Sequence, residues 1–238
     1  MAAAEFGTMS LRNDANLIEY YKLSAVTAEV TTPGNDLTNN GTTPFNAGKF
    51  GNAADFGATN STKYLSNGGD LSYAGGAYSY SLWVNVTTAP AADERDRLAM
   101  SGDSTSKNEI SLDYIDGTGT KKAEFYRGKP GVGADFYQVN QIFTVGTWYH
   151  FAGTYDGATL RMYVDGVEIG TGLAASGSGS AATTEGFRVG ADTGNTSLFS
   201  GVIDDLAIFS RALTAGEVSD IALGTRGGGL LMQALAFH

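Results

Sequence analysis

The chain has 238 residues with 33 glycines, four prolines, two histidines and no cysteine, and it carries a formal net charge of −10 with a pI near 4.5. The missing thiols exclude disulfides, thiolate metal centres and a cysteine nucleophile, while the acidic balance argues against a nucleic-acid partner, because phosphate binding wants a basic surface. No apolar run approaches the length of a membrane span, so membrane insertion is not expected, and the glycine, serine and threonine content suits short strands joined by turns.

In chain order, residues 1–13, opening MAAAEFGTMS, read as a cloning-derived leader or a disordered start, since they lack the apolar stretch of an export signal. Leu17 to Leu23 is a first predicted strand, with Ile18, Tyr20 and Lys22 alternating against Leu17, Glu19, Tyr21 and Leu23. The polar stretch to Thr43, containing Pro33-Gly34-Asn35-Asp36, reads as a loop. Short strands follow at Lys49–Phe56 and Lys63–Ser66. Tyr78–Thr87 is a clearer one, with Tyr78, Tyr80, Leu82, Val84 and Val86 on one face. Ala89–Arg97 reads as a charged loop, and Leu98–Ser101, Ile110–Tyr114 and Lys122–Arg127 as successive strands of one sheet, with Phe136–Phe143 after them.

Trp148–Gly170 then reads as a meander. Its first strand ends at Asp156-Gly157, and Leu160, Met162 and Val164 alternate with Arg161, Tyr163 and Asp165 up to a second hairpin signal, Asp165-Gly166. Ala174–Thr184 (AASGSGSAATT) is a low-complexity loop within the domain. Phe187–Gly190 and Val202–Phe209 are the last strands. Thr214 and Glu217 form a capping box that starts a short helix through about Leu223, before Gly224. The predicted architecture is all-β, two packed antiparallel sheets with one short helix near the C-terminus, in a single domain over residues 14–224 followed by a tail over 225–238.

Catalytic chemistry is thinly represented. His150 sits among aromatic strand residues and reads as a structural imidazole, and His238 is terminal. There is no nucleophile elbow, phosphate loop or zinc-type histidine pair. Glu109 and Asp113 share one predicted strand face but have no third acid at a matching spacing.

Several segments carry a family resemblance: Trp148–Gly170 (WYHFAGTYDGATLRMYVDGVEIG), Gly201–Thr214 (GVIDDLAIFSRALT), LIEYYKLS from Leu17 with GNDLTNNGT behind it, and YSYSLWVNV from Tyr78. Over roughly Leu17 to Leu223 the chain resembles the laminin-G-like, concanavalin-A-like jelly-roll modules. The resemblance implies a jelly-roll sandwich. It also implies a structural Ca²⁺ joining the closing strand to an early loop, held here by Asp204 and, where the family's Phe-Asp-Gly aligns as Phe56-Gly57-Ala58, by the Gly57 carbonyl. The glucanases of this fold use a three-carboxylate cluster that Glu109 and Asp113 do not complete. For a sugar surface, Tyr114, Tyr126, Arg127 and Tyr137 come from strands expected to line the sheet opposite the helix, with Asp192 and Asn195 in a loop at one end. The implied function is a non-catalytic carbohydrate-binding, lectin-like module of a larger secreted or surface protein, with a glycan or cell-surface ligand. An adhesion or spacer module contacting protein is the alternative, and a glycan hydrolase a third.

Overall fold

The computed structural model describes residues 14–24, 36–57, 62–68, 76–89, 94–102, 107–114, 121–129, 133–177 and 186–224, with backbone alone at 107 and 109–114. In chain order the strands are β1 (Leu17–Tyr21), β2 (Thr38–Asn40), β3 (Phe45–Ala47), β4 (Asn52–Asp55), β5 (Tyr64–Asn67), β6 (Tyr78–Val86), β7 (Glu94–Gly102) and β8 (Lys107–Tyr114). They continue with β9 (Lys122–Gly128), β10 (Ala134–Asn140), β11 (Trp148–Tyr155), β12 (Thr159–Val164), β13 (Val167–Ala174), β14 (Phe187–Val189) and β15 (Gly201–Phe209), and the helix α1 spans Ala215–Leu223. One sheet runs β13-β12-β11-β6-β15-β4-β3, with β1 also paired to β15, and the other runs β10-β9-β8-β7-β14-β5-β2.

Turn chemistry shapes the meander. The Asp156 carboxylate accepts the N–H groups of Ala158 at 2.9 Å and Thr159 at 2.7 Å, closing the connection between β11 and β12. Between β12 and β13, Asp165 (φ 50°) and Gly166 (φ 82°) supply the two positive dihedrals of a type I′ turn. Gly166 answers a second demand, because a Cβ there would meet the helix at Ser219 Cα, 2.9 Å away.

The inner faces of the sheets meet in a shared core, Leu82, Val84, Phe151 and Ile203 on one side and Leu98, Phe125, Phe187 and Val189 on the other. Gly153 fixes how near they come: a Cβ on it would lie 2.4 Å from the Phe125 ring. The other face of the β6-containing sheet is covered by α1, with Leu213, Val218 and Ile221 on Tyr20, Ala152, Tyr163 and Phe209. As a result β6 is buried at every position except Asn85.

The helix begins where the sequence places it. Thr214 and Glu217 form the reciprocal capping box, and Gly224 closes the last turn at φ 63°. Arg211 bonds both Asp14 and Glu217, and this contact is the main reason the Glu217 carboxyl is drawn down to about 2.

Three boundaries differ from expectation. Lys49–Phe56 is not one strand, because Gly48 N–H bonds to the Gly51 carbonyl at 2.7 Å and turns β3 into β4. The stretch read as loop before Thr43 contains β2. The charged run before Leu98 is the start of β7, since Arg95 bonds Glu124 across the sheet at 3.2 Å and a strand can carry charges that are paired in this way.

Two substitutions test these assignments by urea denaturation. Thr214→Ala removes the cap and costs about 1 kcal/mol. Gly153→Ala drives a methyl into Phe125 and costs about 1–3 kcal/mol; an unchanged midpoint means that the layers part there without penalty.

Candidate functional site

Along β9 and β10, Ala123, Phe125, Tyr137 and Val139 belong to the core, so Glu124, Tyr126, Phe136 and Gln138 fall on the outward face. One row of this face crosses the whole sheet. Phe136, Tyr126, Glu109, Met100, Arg188, Ser66 and Thr38 stand opposite one another from β10 to β2. Phe136 and Arg188 are four strand spacings apart, roughly 19 Å. The middle of the row is covered, with Tyr126 only 6% exposed and packed edge-on against Phe136 at 4.6 Å, whereas Phe136 itself is 51% exposed. In the neighbouring row, buried Glu124 takes hydrogen bonds from Arg95 at 3.2 Å and Gln138 at 2.6 Å, with Arg97 at 3.8 Å.

Arg188, on β14, lies toward the other end of the row, with Ser66 and Thr38 beyond it. Its guanidinium lies 4.9 Å from the Tyr64 ring centre, and Nη1 donates to the Asp192 carbonyl at 2.8 Å and to Asn195 Oδ1 at 2.7 Å. Asn195 reaches it from a left-handed backbone position, φ 54°. The loop is stiffened by Asp192, whose Oδ1 accepts Thr196 N–H at 2.7 Å and whose Oδ2 accepts the Thr196 hydroxyl at 2.6 Å. Burial raises the Asp192 carboxyl, but these hydrogen bonds outweigh it and hold the group below its ordinary range. Beside Arg188 a depression of about 180 Å³ is lined by Ser66, Asn67, Gly68, Gly186 and Thr193. Asp192 and Asn195 are thus brought together, as supports of an arginine that sequence reasoning passed over. Its place opposite Met100 in the alternation of Phe187-Arg188-Val189, with Phe187 and Val189 in the core, is the signal that marks it as outward.

Two expected surface residues lie inside. Arg127 is fully buried. It bonds Asp135 through Nε at 3.0 Å and the Tyr155 hydroxyl through Nη1 at 2.8 Å, bridging the two sheets. Tyr137 donates to the Ile169 carbonyl at 3.0 Å and accepts Gly172 N–H at 2.8 Å, tying β10 to β13. Both stand one residue out of phase with Tyr126 and Phe136, and a one-residue offset on a strand changes the face. Tyr126 faces outward but is covered. The Tyr114 side chain lies outside the described residues, as do those of Glu109 and Asp113.

Asp204 and Gly57 do not fit a shared calcium ion. Ile203 pairs with Ala54, which places Asp204 opposite Ala53, and Gly57 lies four residues further on, roughly 13 Å along the strand. The Gly57 carbonyl instead accepts the Thr87 hydroxyl at 3.2 Å, and Asp204 Oδ2 accepts Phe50 N–H at 2.9 Å. Among the described residues no three His, Asp or Glu side chains gather as a metal cluster. Asp204 Oδ1 is buried and unpartnered, and burial, then the neighbouring charge of Asp205, pushes the carboxyl up to about 7. His150, in the wall as expected, bonds Ser81 through Nε2 at 2.8 Å, and burial lowers its imidazole to about 3.

These two groups give opposite pH slopes. Asp204 keeps its proton in the fold above its ordinary value of 3.8. Its contribution is therefore present in full at low pH and is lost as pH climbs from about 4 through 7, by a few kcal/mol on the order of the linkage relation. His150 stays neutral, so stability falls as pH drops from 6.5 toward 3. In the parent the two slopes offset each other between about pH 4 and 6.5, so melting of Asp204→Asn should rise with pH across that window more steeply than melting of the parent; a variant curve parallel to the parent from pH 4 to 7 contradicts the assignment for Asp204.

The comparisons with known proteins agree with this architecture. Domain 4 of AbnA, a GH43 extracellular arabinanase from Geobacillus stearothermophilus, solved in complex with arabinotriose, superposes with a TM-score of 0.66 at 22% identity, over 87% of this chain and 98% of that one. The binding domain of Paraclostridial Mosquitocidal Protein 1 gives a TM-score of 0.71 at 13% identity, over 90% of this chain and 52% of that one. A botulinum neurotoxin type C structure, described through its interaction with two ganglioside molecules, gives 0.71 at 12% identity, over 92% and 53%. The chain thus spans about half the length of those toxin chains, and at these identities the likeness establishes fold. No curated protein matches the sequence. Residues 56–219, more than half of the chain, match the concanavalin A-like lectin/glucanases superfamily, and the chain belongs to that superfamily.

Proposed function

We propose that this chain is a non-catalytic, lectin-like module that binds a glycan at the Arg188 end of the second sheet, within a larger secreted or surface protein. The observation that carries the reading is the depression beside Arg188, where a guanidinium held by Tyr64 and Asn195 meets Ser66, Asn67 and Thr193. Sugar recognition calls for such fixed polar groups converging on a shallow recess. The superfamily, and a structural relative solved with arabinotriose, support a carbohydrate ligand. That relative belongs to an extracellular enzyme, which supports a secreted setting.

Hydrolysis is not part of the proposal. A glycosidase flanks its bond with two carboxylates about 5–9.5 Å apart. Near Arg188, Asp192 spends both oxygens on its own turn, and Glu124, three strands away on β9, is committed to Arg95 and Gln138.

A glycan array followed by calorimetry on the whole chain tests this. At least one glycan should bind, Arg188→Ala should weaken it tenfold or more with the melting temperature kept, and no reducing ends should be released. A blank array, or sugar release abolished by Glu124→Gln, overturns the proposal.

A further inference from the structure

Arg188 differs in its partners from the other arginines of the described residues. Arg95 and Arg97 pair with Glu124, Arg127 with Asp135, Arg161 with Asp156, and Arg211 with Asp14 and Glu217. Among the described residues Arg188 has no carboxylate partner. In a chain of net charge −10, with ten more acidic than basic side chains, an outward guanidinium would find an acidic partner easily. Instead it is held by neutral groups, the Tyr64 ring, the Asp192 carbonyl and the Asn195 amide oxygen. Asp192, the nearest described acid in sequence, is held away from the guanidinium by its bonds to Thr196 and Ser197.

The way the group is held also leaves a particular part of it available. Both Nη1 hydrogens are used, by Asp192 and Asn195. The Nε–H and Nη2–H edge makes no hydrogen bond to a described residue, and this is the pair of parallel donors that matches the two oxygens of a carboxylate. Rotation of the side chain is already restricted by stacking and by two hydrogen bonds, so little ordering is left for a ligand to impose. Gly68 and Gly186 keep the adjacent recess open. Gly186 has no alternative, since a Cβ there would lie 2.0 Å from the Asn67 carbonyl oxygen.

We propose that the Nε/Nη2 edge of Arg188 receives a sugar carboxylate, so that the ligand of this module is an acidic glycan built on uronic or sialic acids. The inference rests on the glycan reading above and narrows it. Asn195 is a positioning residue, setting the guanidinium plane without touching the sugar acid, and Tyr64 shares that role.

The test is calorimetry of the whole chain with oligogalacturonate, its methyl ester, sialyllactose and lactose. One acidic sugar should bind at least tenfold more tightly than its uncharged counterpart, and raising the salt should weaken the acid alone. Arg188→Lys keeps the charge but loses the fork, and should erase the preference. Asn195→Ala, which leaves Arg188 intact, should reduce the preference severalfold and so tests the site even if the lysine variant folds poorly. Equal affinity for acid and ester, or an acid preference that survives Arg188→Lys, overturns the inference and leaves the glycan reading standing. No binding to any of the four sugars, together with a blank array, overturns both. Capture of an acidic peptide with no sugar bound does the same.

Discussion

Because the second sheet and the helix cover opposite faces of the β6 sheet, every polar group on its central strands must find a partner within the protein or remain unsatisfied. Ser79 shows the first outcome: its hydroxyl donates to the Arg211 carbonyl at 2.9 Å and accepts Leu213 N–H at 2.9 Å, joining β6 to the chain entering the helix. The row His150, Trp83, Asp204 shows the second. These residues face one another across β11, β6 and β15, and each leaves one buried polar atom without a partner. The β3–β4 turn closes over this row, with Phe50 edge-on to Trp83 and Lys49 Nζ 4.2 Å from its ring centre. Burial on both faces therefore accounts both for the depressed imidazole and for the raised carboxyl.

The second sheet is held differently, and its two ends are not alike. At one edge it is tied to its partner by polar bridges, Arg127 with Tyr155 and Tyr137 with β13. These consume side chains that would otherwise suit a ligand. Toward the β14 end, Arg188 is anchored by side chain and loop within its own sheet, with hydrogen-bonding capacity left over. Anchoring from behind with donors left in front is what distinguishes Arg188 from the buried Arg127, and it is the ground on which we propose Arg188 for binding.

Much of the fold is legible in the residues because turn chemistry and alternation are local. Asp165-Gly166 demands its type I′ turn, and Thr214 with Glu217 announces the helix, whatever lies around them. The site is less legible, since it depends on phase and on partners far away in sequence. Tyr137 and Phe136 are neighbours of similar chemistry, yet one is core and the other half exposed, and the choice is settled by which of them meets β13. The β3–β4 turn was hidden for a related reason. Its Gly48 is required by Ala53, whose Cβ would lie 2.4 Å from a Cβ there, and by the Asp204 oxygen at 2.7 Å, and Asp204 enters the chain more than 150 residues later. Asp192 and Asn195 lie close in sequence and could be grouped from it; Arg188, which donates to both, required the register of β14 on β7.

The closing strand carries a consequence for how the molecule is made. A bulge at Asp204–Asp205, with Asp205 at φ 48°, lets β15 pair with β4 along its first half and with β1 along its second, while its other edge lies on β6. Leu17 thus waits for Phe209 and Asn85 for Val202. During synthesis, β1, β4 and β6 emerge long before the strand that joins them, so until that strand leaves the ribosome the nascent chain presents unpaired edges to its surroundings. Sheet closure is therefore a late, long-range step of the slow kind that high contact order imposes, and a chain interrupted before Gly201 has every hairpin of the meander but no means of completing the sandwich.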